Sequence, residues 1–228
     1  MPRKPRCDFP GAVHHVVSRG VRRREIYRSV ADRLHWLNTL GEACDLHELT
    51  CYAYCMMDNH YHLLVASHAG KLSRGIQLLN SHYAQHFNAA HEYVGHVFQR
   101  RFHSEVVDRD AYLLEAIRYV LLNPVRAQMV EHPGQWRWSS FAETIGEVPS
   151  PPWLATDKVH GFLGLTEESA EKDLTRFLLA GLGAQEGVKG EASGSLEVHK
   201  RGLTPPNVPS ASDRLPSARA CAAGWNAA

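Results

Sequence analysis

The chain lacks the features that would place it in several large protein classes. No run of about 18 apolar residues occurs, so nothing in it reads as a membrane-spanning helix. Its start, Met1-Pro2-Arg3-Lys4-Pro5-Arg6, is basic but has no apolar stretch behind it, as a secretory signal would need. The expected location is therefore the cytoplasm. Cysteine is sparse: Cys7, Cys44, Cys51, Cys55 and Cys221 are odd in number, scattered, and contain no C-x-x-C pair. Neither a disulfide framework nor a four-sulfur zinc site is supported, and reduced thiols are expected. There is no internal repeat, and no dominant charge, since the net charge of 228 residues is only +1.

What is present is one core and an uneven distribution of charge. At 44% hydrophobic residues the chain can fill one ordinary domain plus an appendage. Residues 1–128 carry 16 Lys and Arg against 12 Asp and Glu, in clusters at Arg3-Lys4-Pro5-Arg6, at Arg19 with Arg22-Arg23-Arg24 and Arg28, and at Arg100-Arg101. A single cluster of this kind is usually solvated surface; three in one half suit a phosphate backbone.

Periodicity orders the elements. Residues 11–19 are rich in β-branched side chains and end at Gly20, which predicts a strand. Leu34, Leu37, Leu40 and Ala43 recur at helical spacing over 30–46. Residues 49–57 and 60–66 read as two strands joined by Asp58-Asn59, a hairpin. Leu72, Ile76, Leu79, Tyr83 and Phe87 predict a second long helix over 72–90, and 94–107 reads as a last strand with an irregular approach. A third helix, capped by Asp108 or Asp110, runs to Asn123-Pro124, where proline ends or kinks it. The order β-α-β-β-α-β-α is that of an α+β, ferredoxin-like (RRM-like) sheet, mainly antiparallel, with helices packed on it. Residues 136–141 and 153–182 read as small C-terminal helices. The expected organisation is a basic N-terminal arm at 1–10, a domain at 11–145, short packed helices at 146–183, and a Gly/Ser/Pro/Ala-rich tail at 184–228, expected to be disordered.

The sharpest chemical feature is Asn59-His60-Tyr61-His62. On a strand His60 and His62 point to one face and can share a metal ion, while Tyr61 points to the other. The competing reading is a pair of satisfied core or surface histidines. Tyr119 and Asn123, spaced i, i+4 on the third helix, offer a phenol and an amide oxygen on one face. Should that face lie over the histidines, Asn123 completes a three-ligand site with open positions for a phosphodiester, and Tyr119 stands ready to attack it. Alone, Tyr119 reads as an amphipathic-helix tyrosine. Tyr27, Phe98 and Phe102 are candidates to stack on bases, although core packing suits both phenylalanines. Cys51 and Cys55, at i, i+4 on a strand, are expected to face one side as buried hydrophobes, and Trp136 and Trp138 to be packing anchors.

Four ordered blocks carry a resemblance: His14-His15-Val16-Val17-Ser18-Arg19-Gly20, Met57-Asp58-Asn59-His60-Tyr61-His62-Leu63-Leu64, Phe98-Gln99-Arg100-Arg101-Phe102 and Arg118-Tyr119-Val120-Leu121-Leu122-Asn123-Pro124-Val125-Arg126-Ala127. Over about residues 11–141 the chain resembles the single-tyrosine HUH transposases of the insertion-sequence type, above all the REP-associated tyrosine transposase branch. The resemblance implies that His60 and His62 are the metal ligands, Asn123 the third, and Tyr119 the nucleophile that forms a 5′-phosphotyrosine and frees a 3′-hydroxyl. It also implies a divalent ion, Mg²⁺ or Mn²⁺, and hairpin-forming single-stranded DNA as partner, bound by a monomer or a homodimer, with no membrane. Asp58 stands where the branch usually has proline, and Tyr61 where it has an aliphatic residue, which makes Tyr61 a rival nucleophile. Arg3, Lys4, Arg6, Arg19, Arg22, Arg23, Arg100 and Arg101 are the expected phosphate contacts. Two other functions stay open: a non-catalytic single-stranded nucleic-acid-binding protein of the same fold, and a metallohydrolase that activates water.

Overall fold

The structure is a computed structural model that describes residues 7–107, 109–163 and 167–183. Its first seven elements follow the predicted order: β1 (Ala12–Arg19), α1 (Val30–His47), β2 (Leu49–Met56), β3 (His60–Ser67), α2 (Leu72–Ala90), β4 (His103–Val107) and α3 (Arg109–Leu121). The strands form one antiparallel sheet in the order β2-β3-β1-β4, the α+β ferredoxin-like arrangement. Among the described residues four further α-helices follow α3, namely α4 (Asn123–Arg126), α5 (Phe141–Ile145), α6 (Thr156–Leu163) and α7 (Glu167–Gly183).

Local chemistry sets the boundaries. Ser29 caps α1 reciprocally: its hydroxyl accepts from the Asp32 amide at 3.1 Å, and the Asp32 carboxylate accepts from the Ser29 amide at 2.8 Å. Strand alternation then divides the core in two. Val16, Tyr54, Met56, Tyr61, Leu63 and Val65 face α1 and α2, where they meet Trp36, Leu40, Ile76, Leu79 and Tyr83. Val13, Tyr52, Cys55, Leu64 and Ala66 face the other way, against Leu113, Ile117 and Val120 of α3 and Leu174 and Leu178 of α7. Helices thus cover both faces of the sheet.

Four expectations change. Cys51 pairs with Val65 and Ala53 with Leu64, so Tyr52 is an extra residue, a β-bulge. The bulge resets the alternation, and Cys51 lies in the α1/α2 core while Cys55 lies in the α3 core, not on one side. Only His103–Val107 of the expected last strand is a strand. The segment before it instead bonds to the end of β1, through Val21 N to Val97 O and Gln99 N to Arg19 O, both 2.9 Å. Residues 136–140 are not helical: Met56 N donates to Trp138 O at 2.8 Å and Ser140 N to Tyr54 O at 3.0 Å. Here the chain satisfies the open edge of β2, a demand that local periodicity does not reveal. Finally, Cys44, Cys51 and Cys55 are free thiols, but Cys7 is disulfide-bonded, against the expectation of reduced cysteines. The basic residues of the arm (Arg3, Lys4, Arg6) and the tail at 184–228 lie outside the described residues. Among the described residues no helix is long and apolar enough to cross a membrane.

Gly20, where β1 turns into the arginine-rich segment, has no room for a side chain. A Cβ there would stand 2.2 Å from the Arg24 carbonyl oxygen and 2.8 Å from Ile26 Cγ2. Gly20→Ala should therefore cost about 2 kcal/mol of stability, read from the denaturant midpoint, because backbone cannot yield as a flexible side chain does.

Candidate active site

The register of β1 on β3 builds the site. Val17 pairs with His62 and Arg19 with His60, so His15, His60 and His62 rise from the same face of the sheet beneath α3. His60 Nε2 and His62 Nε2 face each other at 3.1 Å. Two imidazole nitrogens that share one ion at about 2.1 Å each stand about 3.0–3.4 Å apart when they subtend roughly 90–109°. The pair therefore fits two adjacent positions around a metal. The far side of each ring is already engaged: His60 Nδ1 lies 2.6 Å from Asn59 Oδ1, and His62 Nδ1 lies 2.9 Å from His15 Nε2 in a nearly coplanar contact, 3° between the rings.

Electrostatics keeps these rings uncharged. Burial pushes His15 and His60 from the usual 6.5 down to about 4, helped by His103 beside the first and Arg19 beside the second. Burial, with His15, His60 and Arg19 nearby, pushes His62 lower still. Each imidazole therefore keeps a lone pair at neutral pH, which a metal ligand needs.

Tyr119 comes to the same place from α3. Its ring stands edge-on to His15 and His62, with centroids 5.6 and 5.8 Å apart. Burial raises its phenol above the ordinary value, and Glu105 adds to that, while Arg126 and Arg19 pull the other way. The Arg126 guanidinium lies over the ring, 5.0 Å from its centroid. Asn123 stands at the start of α4, one turn on, its amide nitrogen donating to the Tyr119 carbonyl at 2.8 Å. That bond leaves Oδ1 as its remaining polar end. Among the described residues no group of three His, Cys, Asp or Glu side chains is arranged to hold a metal.

Tyr61 lies on the opposite face, fully buried against α1 and α2 with its hydroxyl donating to Asn80 at 2.8 Å. Arg19 ends β1 beside His60, and Arg22 and Arg23 are exposed in consecutive left-handed conformations (φ 54° and 59°). The exposed Arg100 and Arg101 follow Gln99, which is bonded to Arg19, so both basic clusters sit at one end of the sheet, next to His60. Arg33 is different: it is 8% exposed, held over Tyr27 and Trp138 and bonded to Met56 O and Asp58 Oδ1. Tyr27 and Phe102 are core residues and Phe98 is partly buried against them, so Tyr27 and Phe102 are not free to stack on bases.

Sequence reasoning missed His15, Asn59 and Arg126 as members of the site. Strand alternation allowed His15 to be on the right face, but only the pairing with β3 puts it against His62. Arg126 reaches Tyr119 across the break between α3 and α4, which helical spacing alone does not describe.

Residues 9–123, just over half of the chain, match the model of a transposase family, which places the chain in that class of DNA-processing enzymes. It belongs to the IS200-like transposase family. No curated protein sequence matches it significantly. Among solved structures its fold is similar to that of a REP-associated tyrosine transposase bound to a REP hairpin: TM-score 0.55 at 15% identity, covering 68% of this chain and 92% of that one. A protein from Deinococcus radiodurans R1, named as a transposase, is 17% identical over 56% of this chain and 92% of its own, but its TM-score of 0.35 is too low to speak to the fold.

The buried imidazoles make stability depend on pH in a definite direction. Their folded pKa values lie below the ordinary 6.5, so their contribution is complete above about pH 6.5 and is lost as the pH falls toward 4. For His15 and His60 the loss is on the order of 3 kcal/mol each across that window. Thermal melts of the metal-free protein should show the midpoint falling between pH 6.5 and 4.5, with a shallower fall in His15→Gln. A flat wild-type profile contradicts the burial of these rings.

Proposed function

We propose that this protein cuts and rejoins single-stranded, hairpin-forming repeat DNA, with Tyr119 as nucleophile and a divalent ion, Mg²⁺ or Mn²⁺, held by His60, His62 and Asn123. The observation that carries the proposal is one constellation: two neutral imidazoles facing each other at 3.1 Å, with the Tyr119 ring edge-on to one of them at 5.8 Å. A divalent ion held by these residues would supply Lewis-acid polarisation of a phosphodiester. Tyr119 Oη forms the new bond to phosphorus and its proton departs, while the bond to the 3′-oxygen breaks and that oxygen takes up a proton. The products are a 5′-phosphotyrosine and a free 3′-hydroxyl, and the reverse attack rejoins the strand. Because the ester bond is kept in the phosphotyrosine, no nucleotide cofactor is consumed.

The chain's own residues support each part. Arg126 over the phenol ring favours the phenolate that burial disfavours. Arg19, Arg22, Arg23, Arg100 and Arg101 line the neighbouring end of the sheet and suit a DNA backbone. Arg3, Lys4 and Arg6 would extend that contact as a basic arm. Hairpin DNA is favoured as substrate because the similar structure is a complex with a REP hairpin. Tyr119 lies beside histidines of its own chain, so a monomer suffices and a dimer is not required.

With a labelled hairpin oligonucleotide and Mn²⁺, the wild-type protein should give a covalent adduct on denaturing gels. Tyr119→Phe should lower adduct formation by more than about a hundredfold, with hairpin affinity changed less than about twofold. An adduct undiminished in Tyr119→Phe removes this tyrosine from the mechanism. Cleavage that persists in EDTA removes the metal, cleavage with no adduct points to an activated water, and binding with no cleavage points to a binding module.

A further inference from the structure

The amide of Asn59, in the turn between β2 and β3, has a partner at each end. Its Nδ2 donates to the Arg23 carbonyl oxygen at 3.1 Å, and its Oδ1 lies 2.6 Å from His60 Nδ1. A backbone carbonyl can only accept, which fixes the nitrogen end of the amide toward Arg23. Oδ1 therefore faces His60, and as it too can only accept, His60 Nδ1 must carry the hydrogen. In a neutral imidazole the other nitrogen is then a bare lone pair. That nitrogen, Nε2, is the one facing His62 at 3.1 Å.

We infer that Asn59 is a positioning residue for the Tyr119 reaction, one that sets the tautomer and plane of His60 and ties this ligand to the arginine turn at Arg22-Arg23. The inference rests on the metal-dependent reading above and deepens it. The tie is rigid. Gly20 N donates to Asn59 O and Ile26 N to Asp58 O, both at 2.9 Å, and Arg33 holds Asp58 Oδ1 at 2.9 Å. Arg23, whose carbonyl orients the amide, is itself held in a left-handed conformation by Arg23 N to Gly20 O at 3.1 Å. The proposed phosphate contact and the proposed metal ligand thus belong to one hydrogen-bonded unit, joined by a single side chain. Turn formation alone does not require this arrangement. An asparagine that merely shaped the turn could bond to its own backbone, as such residues commonly do.

Two variants separate the roles. Asn59→Ala removes both contacts, whereas Asn59→Asp keeps an acceptor for His60 Nδ1 and loses the donor to Arg23. Nitrogen-15 spectra of the imidazoles in the metal-free, full-length protein read the tautomer directly, and calorimetry reads Mn²⁺ binding. In the wild type His60 should carry its hydrogen on Nδ1. Asn59→Ala should show the Nε2–H form and bind Mn²⁺ about 10- to 100-fold more weakly, whereas Asn59→Asp should keep the Nδ1–H signal and bind within about threefold of wild type. The inference is overturned if Asn59→Ala leaves both readouts unchanged, or if the two variants lose them equally. Should the wild type bind no Mn²⁺, the metal-dependent function fails, while the tautomer spectra still decide whether Asn59 orients His60.

Discussion

The registration of β1 against β3 is the constraint on which the rest depends. Side chains alternate across a sheet with a period of two, so a slip of one residue in β3 would turn His60 and His62 into the α1/α2 core and bring Tyr61 out beneath α3. The core forbids this. Tyr61 is fully buried among Trp36, Leu40, Ile76 and Tyr83, and each large ring or aliphatic side chain removed from water there contributes roughly 1.5–3 kcal/mol. The bulge at Tyr52 performs the matching service in β2, since it lets Cys51 and Tyr54 join one core and Cys55 the other without disturbing β3. Hydrophobic packing on one face of the sheet thus sets the position of the imidazoles on the other.

Burial has opposite effects on the two kinds of titratable group in the site, and both favour the neutral form. It lowers the imidazoles and raises the phenol. A neutral cluster is inexpensive to fold, because no charge has to be taken from water. The same neutrality defines what the chemistry lacks, for a phenol attacks poorly until it loses its proton. Arg126 and Arg19 supply positive charge at the margin, and the facing nitrogens offer a place for more.

Much of this was legible in the sequence, for physical reasons that differ by element. The helical stripe of α2 is readable because one face of it is core, whereas in α1 Leu40 and Ala43 of the expected stripe are buried but Leu34 is 49% exposed. His60 and His62 are readable as a pair because two residues on one strand need no partner to share a face. His15 is not, because its neighbour is set by strand pairing between residues 47 apart in sequence. Cys51 and Cys55 mislead because a bulge leaves no local trace in composition. Residues 136–140 look helical in isolation and instead form a turn and an isolated bridge, because the edge of β2 requires hydrogen-bonding partners. Arg33 belongs to the arginine-rich half that suggests phosphate binding, yet it is committed to Tyr27, Trp138, Met56 O and Asp58. Charge counts do not distinguish such a residue from Arg22 or Arg23.

The covering of both sheet faces bears on how nucleic acid can be held. Sheets of this topology that bind single strands as simple modules do so by stacking bases on exposed aromatics. Here α3 and α7 occupy one face and α1 and α2 the other, and the candidate stacking residues Tyr27 and Phe102 are spent on the core. On the proposed function a strand would therefore lie at the periphery. Of the peripheral regions, the end formed by Arg19, His60 and the Gln99-Arg100-Arg101 segment combines the exposed guanidinium groups of Arg100 and Arg101 with a partly exposed His60. Backbone contacts there would bring a phosphodiester toward the imidazoles and Tyr119 without passing over the sheet. On the proposed function the closed face would direct a strand to that end, and the loss of the stacking surface would be a condition of the proposed chemistry.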